Sequence, residues 1–150
     1  MHIWVDADAC PKVIKEIIFK ACLRTNTPVT MVANSYLVLP SHSLINSIKV
    51  SKGFDMADEK IVEQLKSGDL VITADIPLAD AAIQKGAIAI NPRGNVYTKE
   101  NIKDKLLTRN LMSELRDFGV INTGGSEKPF GPKEKQRFAN KLDSLLAKAK

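Results

Sequence analysis

The aspartates of this 150-residue chain fall at repeated positions. Asp6 and Asp8 close the apolar run Ile3-Trp4-Val5, and Asp75 closes Leu70-Val71-Ile72-Thr73-Ala74. Asp55 and Asp58 stand just ahead of a helical pattern, and Asp80 follows Asp75 by five residues. In an alternating strand–helix protein the strands run parallel, their C-terminal ends share one edge, and such folds bind ligands at that edge. Carboxylates from distant parts of the chain are therefore expected to converge. Clustered carboxylates repel one another, and a hard divalent cation is the simplest way to neutralise them. Oxygen-only ligands favour Mg²⁺ or Mn²⁺ over zinc. One or two such ions lower the pKa of a bound water and stabilise charge on a phosphate under attack. The expected chemistry is hydrolysis at phosphorus, with Asp6, Asp58 and Asp75 as metal ligands and Asp8 and Asp80 as further carboxylates able to orient water. Lys12, Lys52 and Arg93, all in loops or first turns of the same edge, are the candidates for holding the phosphate.

Each of these residues has a plainer explanation. Asp6 or Asp8 can cap the helix that begins near Cys10, and Asp75 the one that begins near Pro77, because Asp is a favoured N-cap. Asp55 and Asp58, three apart around a helix start, resemble a capping box. Asp80, one turn into its helix, can simply complement the positive helix N-terminus. If residue 6 still belongs to the strand, Asp6 and Asp8 share a side. A lysine or arginine is commonly no more than surface charge. Cys10 is a poor nucleophile beside two carboxylates, and Thr123-Gly124-Gly125-Ser126 could form a backbone nest for an anion.

The elements that must position these residues follow from apolar spacing. Residues 2 to 6, 29 to 33, 48 to 50, 70 to 74 and 87 to 90 read as strands; the fourth has the unbroken apolar character of a strand covered on both faces. Helices are expected from about 11 to 24, 56 to 67 and 77 to 85, with Pro11 and Pro77 in first turns and Gly68 and Gly86 as stops. The stretch 35 to 47 is ambiguous, since Pro40 interrupts Leu37-Val38-Leu39 and Ser41-His42-Ser43 could open a short helix. Thr98 can cap a helix to about Phe118, with Ile102, Leu106, Leu107, Leu111 and Leu115 as its apolar set. A glycine- and proline-rich stretch from 119 to 132 precedes a last helix, about 133 to 148, that buries Phe138, Leu142, Leu145 and Leu146. The order implies a three-layer α/β/α sandwich with a mostly parallel sheet of about five strands and two C-terminal helices.

Length and composition bound the rest. The chain has the size of one domain and ordinary fractions of hydrophobic and charged residues. No apolar stretch approaches the ~20 residues of a membrane span. The start shows no signal-like pattern, so a cytoplasmic protein is expected. Two cysteines make neither a disulfide framework nor a zinc site. The net charge of +5 is unevenly spread: residues 1 to 98 carry ten basic and ten acidic side chains, whereas residues 99 to 150 carry twelve and seven. A basic C-terminal third next to an acidic site suits a phosphate-bearing substrate, RNA among them, and equally a solvated helix face.

Three functions fit these residues. The first is a metal-dependent nuclease acting on RNA. The second is a phosphatase of the haloacid dehalogenase type, with Asp6 as nucleophile and Asp8, two residues on, as general acid. The third is a non-catalytic module whose basic tail docks RNA or a protein. Val5-Asp6-Ala7-Asp8-Ala9-Cys10-Pro11, Gly53-Phe54-Asp55-Met56-Ala57-Asp58, Val71 to Ala79, Asn91-Pro92-Arg93-Gly94, and the tail from Thr123-Gly124-Gly125 through Pro129-Phe130 to Arg137-Phe138-Ala139 together resemble the uncharacterised YaiI/YqxD family, a PIN-like group, over nearly the whole chain. The resemblance implies a PIN-like fold and a metal-dependent ribonuclease with its acidic cluster at Asp6, Asp58 and Asp75, joined by Asp8 and Asp80. The pair Asp6-Ala7-Asp8 and the basic tail are not generic to PIN domains, so substrate and cleavage mode do not carry over.

Overall fold

The computed structural model describes residues 1–53, 56–117 and 131–148. The strand β1 (Ile3–Asp6) is buried at all four positions. That is what an apolar run hydrogen-bonded on both sides requires: β1 lies between β2 (Val29–Ala33) and β4 (Leu70–Ile72), parallel to both. β3 (Ile45–Lys49) continues the sheet beyond β2, and β5 (Ile88–Ile90) continues it beyond β4, again parallel. Where about five strands are expected, the described residues form a six-stranded sheet. β6 (Val96–Tyr97) returns antiparallel along β5 after a tight turn, giving the order β3-β2-β1-β4-β5-β6. Two residues carry no readable alternation, which is why this strand escapes a periodicity reading.

Side chains alternate across the sheet, and the two faces have separate cores. Ile3, Val5, Met31, Leu70 and Ile72 pack against α1 (Lys12–Thr25) and α5 (Pro132–Lys148). Trp4, Val32, Val71 and Ala89 pack against α2 (Met56–Gln64), α3 (Ile76–Gln84) and Ile102 of α4 (Lys99–Asp117). The result is three layers. Phe138, Leu142 and Leu146, spaced by one helical turn, are at most 2% exposed; each contributes roughly 1.5–3 kcal/mol by leaving water. They join the last helix to the first, and an Arg24–Asp143 ion pair links the same two helices at the surface. Thr98 caps α4 reciprocally with Asn101: the Thr98 N–H donates to Asn101 Oδ1 at 2.8 Å, and the Asn101 N–H to Thr98 Oγ1 at 3.1 Å.

Further expectations change, beginning with the third strand, which is Ile45–Lys49 and not 48 to 50. Residues 35 to 44 form no helix; they are an extended crossing from β2 to β3 in which Leu37 and Leu39 pack on the core while Tyr36 and Val38 are exposed. Pro40 and a turn at Ser43–Leu44 stop a helix there. In α4 only the first turns reach the core: Ile102 is buried, but Leu107 and Leu111 are exposed. Asp55 and the Thr123–Ser126 segment lie outside the described residues. No helix among the described residues is long and apolar enough to cross a membrane.

Candidate active site

β1 and β4 are neighbours from which the chain departs to opposite layers, into α1 and α3 respectively. A parallel sheet offers a ligand crevice outside the carboxyl ends of such a pair. Asp6 is the last residue of β1, on the face of Trp4 and Val32, and it is 9% exposed. Three residues beyond β4 is Asp75, whose Oδ1 accepts the Leu78 N–H at 3.0 Å and so caps α3 ahead of Pro77. Thr73 stands between them. Its hydroxyl donates to Asp6 Oδ2 at 3.1 Å and accepts the Asp75 N–H at 2.9 Å. The two carboxylates, 69 residues apart in sequence, are thus braced through one buried hydroxyl. Burial pushes the Asp6 carboxyl above its ordinary range, the Thr73 bond opposes that, and the charges of Asp75 and Asp8 add to the rise. Asp6 Oδ1 and Asp75 Oδ2 accept no hydrogen bond from the described residues.

Around this pair the chain supplies polar groups that spacing alone does not single out. A hollow of about 250 Å³ beside the pair is lined by Ala9, Pro11, Ala74, Asn91, Pro92, Arg93 and Tyr97, and by neither carboxylate. Tyr97 is buried, bonded to Asn91 and within range of the Asp75 charge; burial first, then that charge, holds its phenol high, against the Asn91 bond. Asn91 Oδ1 accepts the N–H groups of Arg93 and Asn95 at 2.9 and 3.1 Å, which fixes the β5–β6 turn. Arg93 pairs with Glu134 at 3.7 Å. Backbone N–H groups of Glu134 itself and of Gly131, then Arg93 and Arg137, hold the Glu134 carboxyl below its usual range. Only Asn91-Pro92-Arg93-Gly94 of this set stood out in the sequence; Tyr97 belongs to the two-residue strand that periodicity misses.

The remaining candidates are placed elsewhere on the same edge or away from it. Asp8 does not continue the alternation of β1, because a turn of 3₁₀ helix begins at Ala7. Both its oxygens are committed, Oδ2 to the Asn34 N–H at 2.7 Å and Oδ1 to the Ser35 hydroxyl at 2.8 Å. It ties the segment after β1 to the end of β2. Asp58, in the first turn of α2, lines a separate groove of about 520 Å³ between α2 and α3 together with Glu59 and Glu63. Asp80 accepts from Gln84 one turn along α3 at 3.0 Å. Lys12 opens α1 and Lys52 follows β3; both are exposed. Cys10 is buried, and burial pushes its thiol up to about 12, in keeping with a structural role.

Among the described residues no three His, Cys, Asp or Glu side chains form a metal-holding group. Asp6, Asp58 and Asp75 therefore make no closed cage. The pair Asp6 and Asp75 still fits Mg²⁺ or Mn²⁺. Ions of the Mg²⁺ type keep several waters and are commonly held by one or two carboxylates plus substrate phosphate oxygens. Each of these two carboxylates retains one uncommitted oxygen.

The chain matches the family model described as "Uncharacterized BCR, YaiI/YqxD family" over residues 4–148. It is similar to a UPF0178 protein of Maridesulfovibrio salexigens, 53% identical over 149 residues, covering 99% of this chain and 97% of that one. A UPF0178 protein of Hydrogenovibrio crunogenus is 55% identical over 148 residues, 99% and 97% of the two chains. One of Pseudoalteromonas atlantica is 56% identical over 147 residues, 98% and 99%. No solved structure matches this chain.

Proposed function

The chain belongs to the uncharacterised YaiI/YqxD family, and from its crevice we propose a PIN-like, Mg²⁺- or Mn²⁺-dependent nuclease that hydrolyses phosphodiester bonds of RNA. The single observation that carries the reading is the Asp6–Thr73–Asp75 brace at the ends of two adjacent parallel strands. It keeps a carboxylate buried against its own solvation and against a neighbouring negative charge. The cap on α3 accounts for Asp75 but not for the burial of Asp6 beside it, and perturbed carboxylates at such an edge mark functional sites.

A divalent ion at Asp6 and Asp75 supplies an acidified water and positive charge opposite a phosphoryl oxygen. The chain's own residues do the rest. Thr73 fixes the rotamer of Asp6 and the backbone of Asp75, so both carboxylates are oriented before substrate arrives. Pro11 and Ala74 give the hollow apolar walls, and Asn91, Arg93 and the Tyr97 phenol supply donors for phosphate oxygens and a 2′-hydroxyl.

Calorimetric titration of the metal-free protein with Mn²⁺ is expected to show saturable binding that Asp6→Asn and Asp75→Asn each abolish. Asn retains the N-cap at position 75, so helix α3 survives the second change. Cleavage of a single-stranded oligoribonucleotide should follow metal binding and fall at least ~100-fold in both variants. If Mn²⁺ fails to bind even with a non-cleavable oligonucleotide present, and no RNA is cut, the nuclease reading is wrong. RNA binding unaffected by either variant would then point to a non-catalytic module.

A further inference from the structure

We propose that the groove between the β5–β6 turn, α4 and α5, with Lys105, Arg137 and Lys141 on its walls, binds the sugar–phosphate backbone of the single RNA strand leading away from the carboxylate crevice. The proposal rests on the nuclease reading for its choice of polyanion. The groove itself encloses about 450 Å³ and is lined by Gly94, Asn95, Val96, Asn101, Lys105, Arg137 and Lys141. Its cations come from two helices distant in sequence, and no carboxylate lines it among the described residues. None of the three forms an ion pair with a described residue. Glu134, on the same helix as Arg137, pairs with Arg93, although its field also reaches Arg137. Cations that merely solubilise a surface are usually interspersed with acids and spread over a helix face; these converge on one concave surface.

The turn that forms one wall is built to bring α5 close. Gly94 has φ +92°, and a Cβ there would lie 2.7 Å from both the Arg137 side chain and the Phe138 backbone nitrogen. A side chain at this position would push away the segment that carries Arg137. Asn101 is a wall and not a ligand, because its Oδ1 and Nδ2 are already committed to the Thr98 N–H and the Val96 carbonyl. Lys105 is held with its ammonium 5.8 Å from the centre of the Tyr97 ring, a distance at which the ring face attracts a cation. The same Tyr97 lines the hollow beside Asp75. The hollow beside Asp75 and the basic groove therefore meet at the β5–β6 connection: Asn91, Arg93 and Tyr97 line one, and Gly94, Asn95 and Val96 line the other. A strand with one phosphate at the crevice would lay its following phosphates along Lys105, Arg137 and Lys141. The reading also accounts for the basic excess of the last third of the chain, most of which α4 and α5 carry.

The test is fluorescence-anisotropy titration of a labelled single-stranded 2′-O-methyl RNA, which has no 2′-hydroxyl to react. It is run without divalent ions, across salt from about 50 to 200 mM. The proteins are wild type, the Lys105→Gln/Arg137→Gln/Lys141→Gln variant, and a charge-matched control, Lys20→Gln/Lys66→Gln/Lys148→Gln, at exposed positions outside the groove. Circular dichroism and thermal unfolding confirm that each is folded. Losing three phosphate contacts should flatten the slope of log K against log salt by about 2, at ~0.7 per contact for a single strand. The control should keep nearly the wild-type slope. Equal slopes for wild type and the groove variant, or an equal loss in the control, would overturn the proposal. Asp6→Asn, assayed alongside, separates this idea from the nuclease reading. A groove-dependent slope in a protein that cuts no RNA sinks only the nuclease reading; cleavage that needs Asp6, with a groove variant of unchanged slope, sinks only the groove.

Discussion

The two edges of this sheet hold buried aspartates in opposite ways. At the N-terminal edge Asp69, just ahead of β4, is 8% exposed and accepts three N–H donors: His2 N at 3.1 Å, Trp4 Nε1 at 3.2 Å and Lys66 N at 3.0 Å. At the C-terminal edge Asp6 is about as buried, yet it receives one hydroxyl and faces two other carboxylates. Burial is repaid by hydrogen bonds in the first case and left largely uncompensated in the second. Residue type and depth are the same; the partners distinguish a joint of the fold from a candidate site. Asp69 fastens the start of β1 and the α2–β4 connection to the indole of Trp4. Asp6 fastens nothing that a neutral side chain would not fasten as well.

The contrast breaks first at Asp69. Asp69→Ala removes the acceptor from three donors, at about 1–3 kcal/mol for each left buried and unmet. Allowing for water reaching the Lys66 amide, urea denaturation should show a loss of about 3–5 kcal/mol. A loss under about 1 kcal/mol would mean that the three bonds contribute no more than a surface contact, and the N-terminal edge would not be the structural one.

Asp6→Asn should change stability in the other direction. The folded protein holds a proton on Asp6 more tightly than the unfolded chain does, because the carboxyl is raised from its reference of 3.8. The stability this provides is fully present below 3.8 and is lost as pH rises through the folded value. Once pH lies above the folded value the wild type carries the cost of the charge, and Asn escapes it while still accepting from Thr73. The variant should therefore unfold at higher temperature than wild type near neutrality, and the gap should close as pH falls towards 3.8. Added Mn²⁺ should raise the wild-type midpoint and leave the variant unmoved, by mass action on the folded state. A variant less stable than wild type at neutrality would make Asp6 a structural residue like Asp69.

What the sequence discloses differs between these edges for a physical reason. An apolar run that stops at Asp is a strand end, so the positions of Asp6 and Asp75 are legible from local pattern, and the parallel order of elements brings them to one edge. Asp69 follows Gly68 and precedes an apolar run, which locally is only a turn; its role depends on Trp4 and His2, more than 60 residues away. Asp8 keeps its charge within reach of Asp6, but a 3₁₀ turn at Ala7 takes it off the strand alternation and its oxygens bond Asn34 and Ser35; spacing cannot foretell where a strand stops. Leu107 and Leu111 keep helical spacing without burial, since periodicity reports that a helix is amphipathic and not what covers it. Tyr97 is reached only through the antiparallel pairing of β6 with β5.

The smallest effect belongs to His2, which tests whether the N-terminal edge is a settled joint at every pH. Its ring stacks on Trp4 with centroids 4.4 Å apart, and Nε2 lies 2.7 Å from the Thr30 hydroxyl. Burial lowers its pKa from 6.5, the Asp69 charge opposes this, and the N-terminal ammonium adds to the lowering. The folded state thus favours neutral His2, binds fewer protons than the unfolded chain between the folded value and 6.5, and loses stability as pH falls through that window. Asp6 acts with the opposite sign as pH falls, so the two contributions mask one another in the wild type. In the Asp6→Asn background the opposing Asp6 contribution is gone: the midpoint should fall as pH is lowered below 6.5, and adding His2→Phe, which keeps the stack, should flatten the part of that decline that lies above the 4.5 of a free glutamate, below which Glu134 contributes in the same sense. The ring is only partly buried and Asp69 partly compensates its charge, so the effect should be well below that of Asp69→Ala. If the double variant keeps the full decline, the burial penalty at this edge lies in another group, and Asp69 and Trp4 alone make the joint.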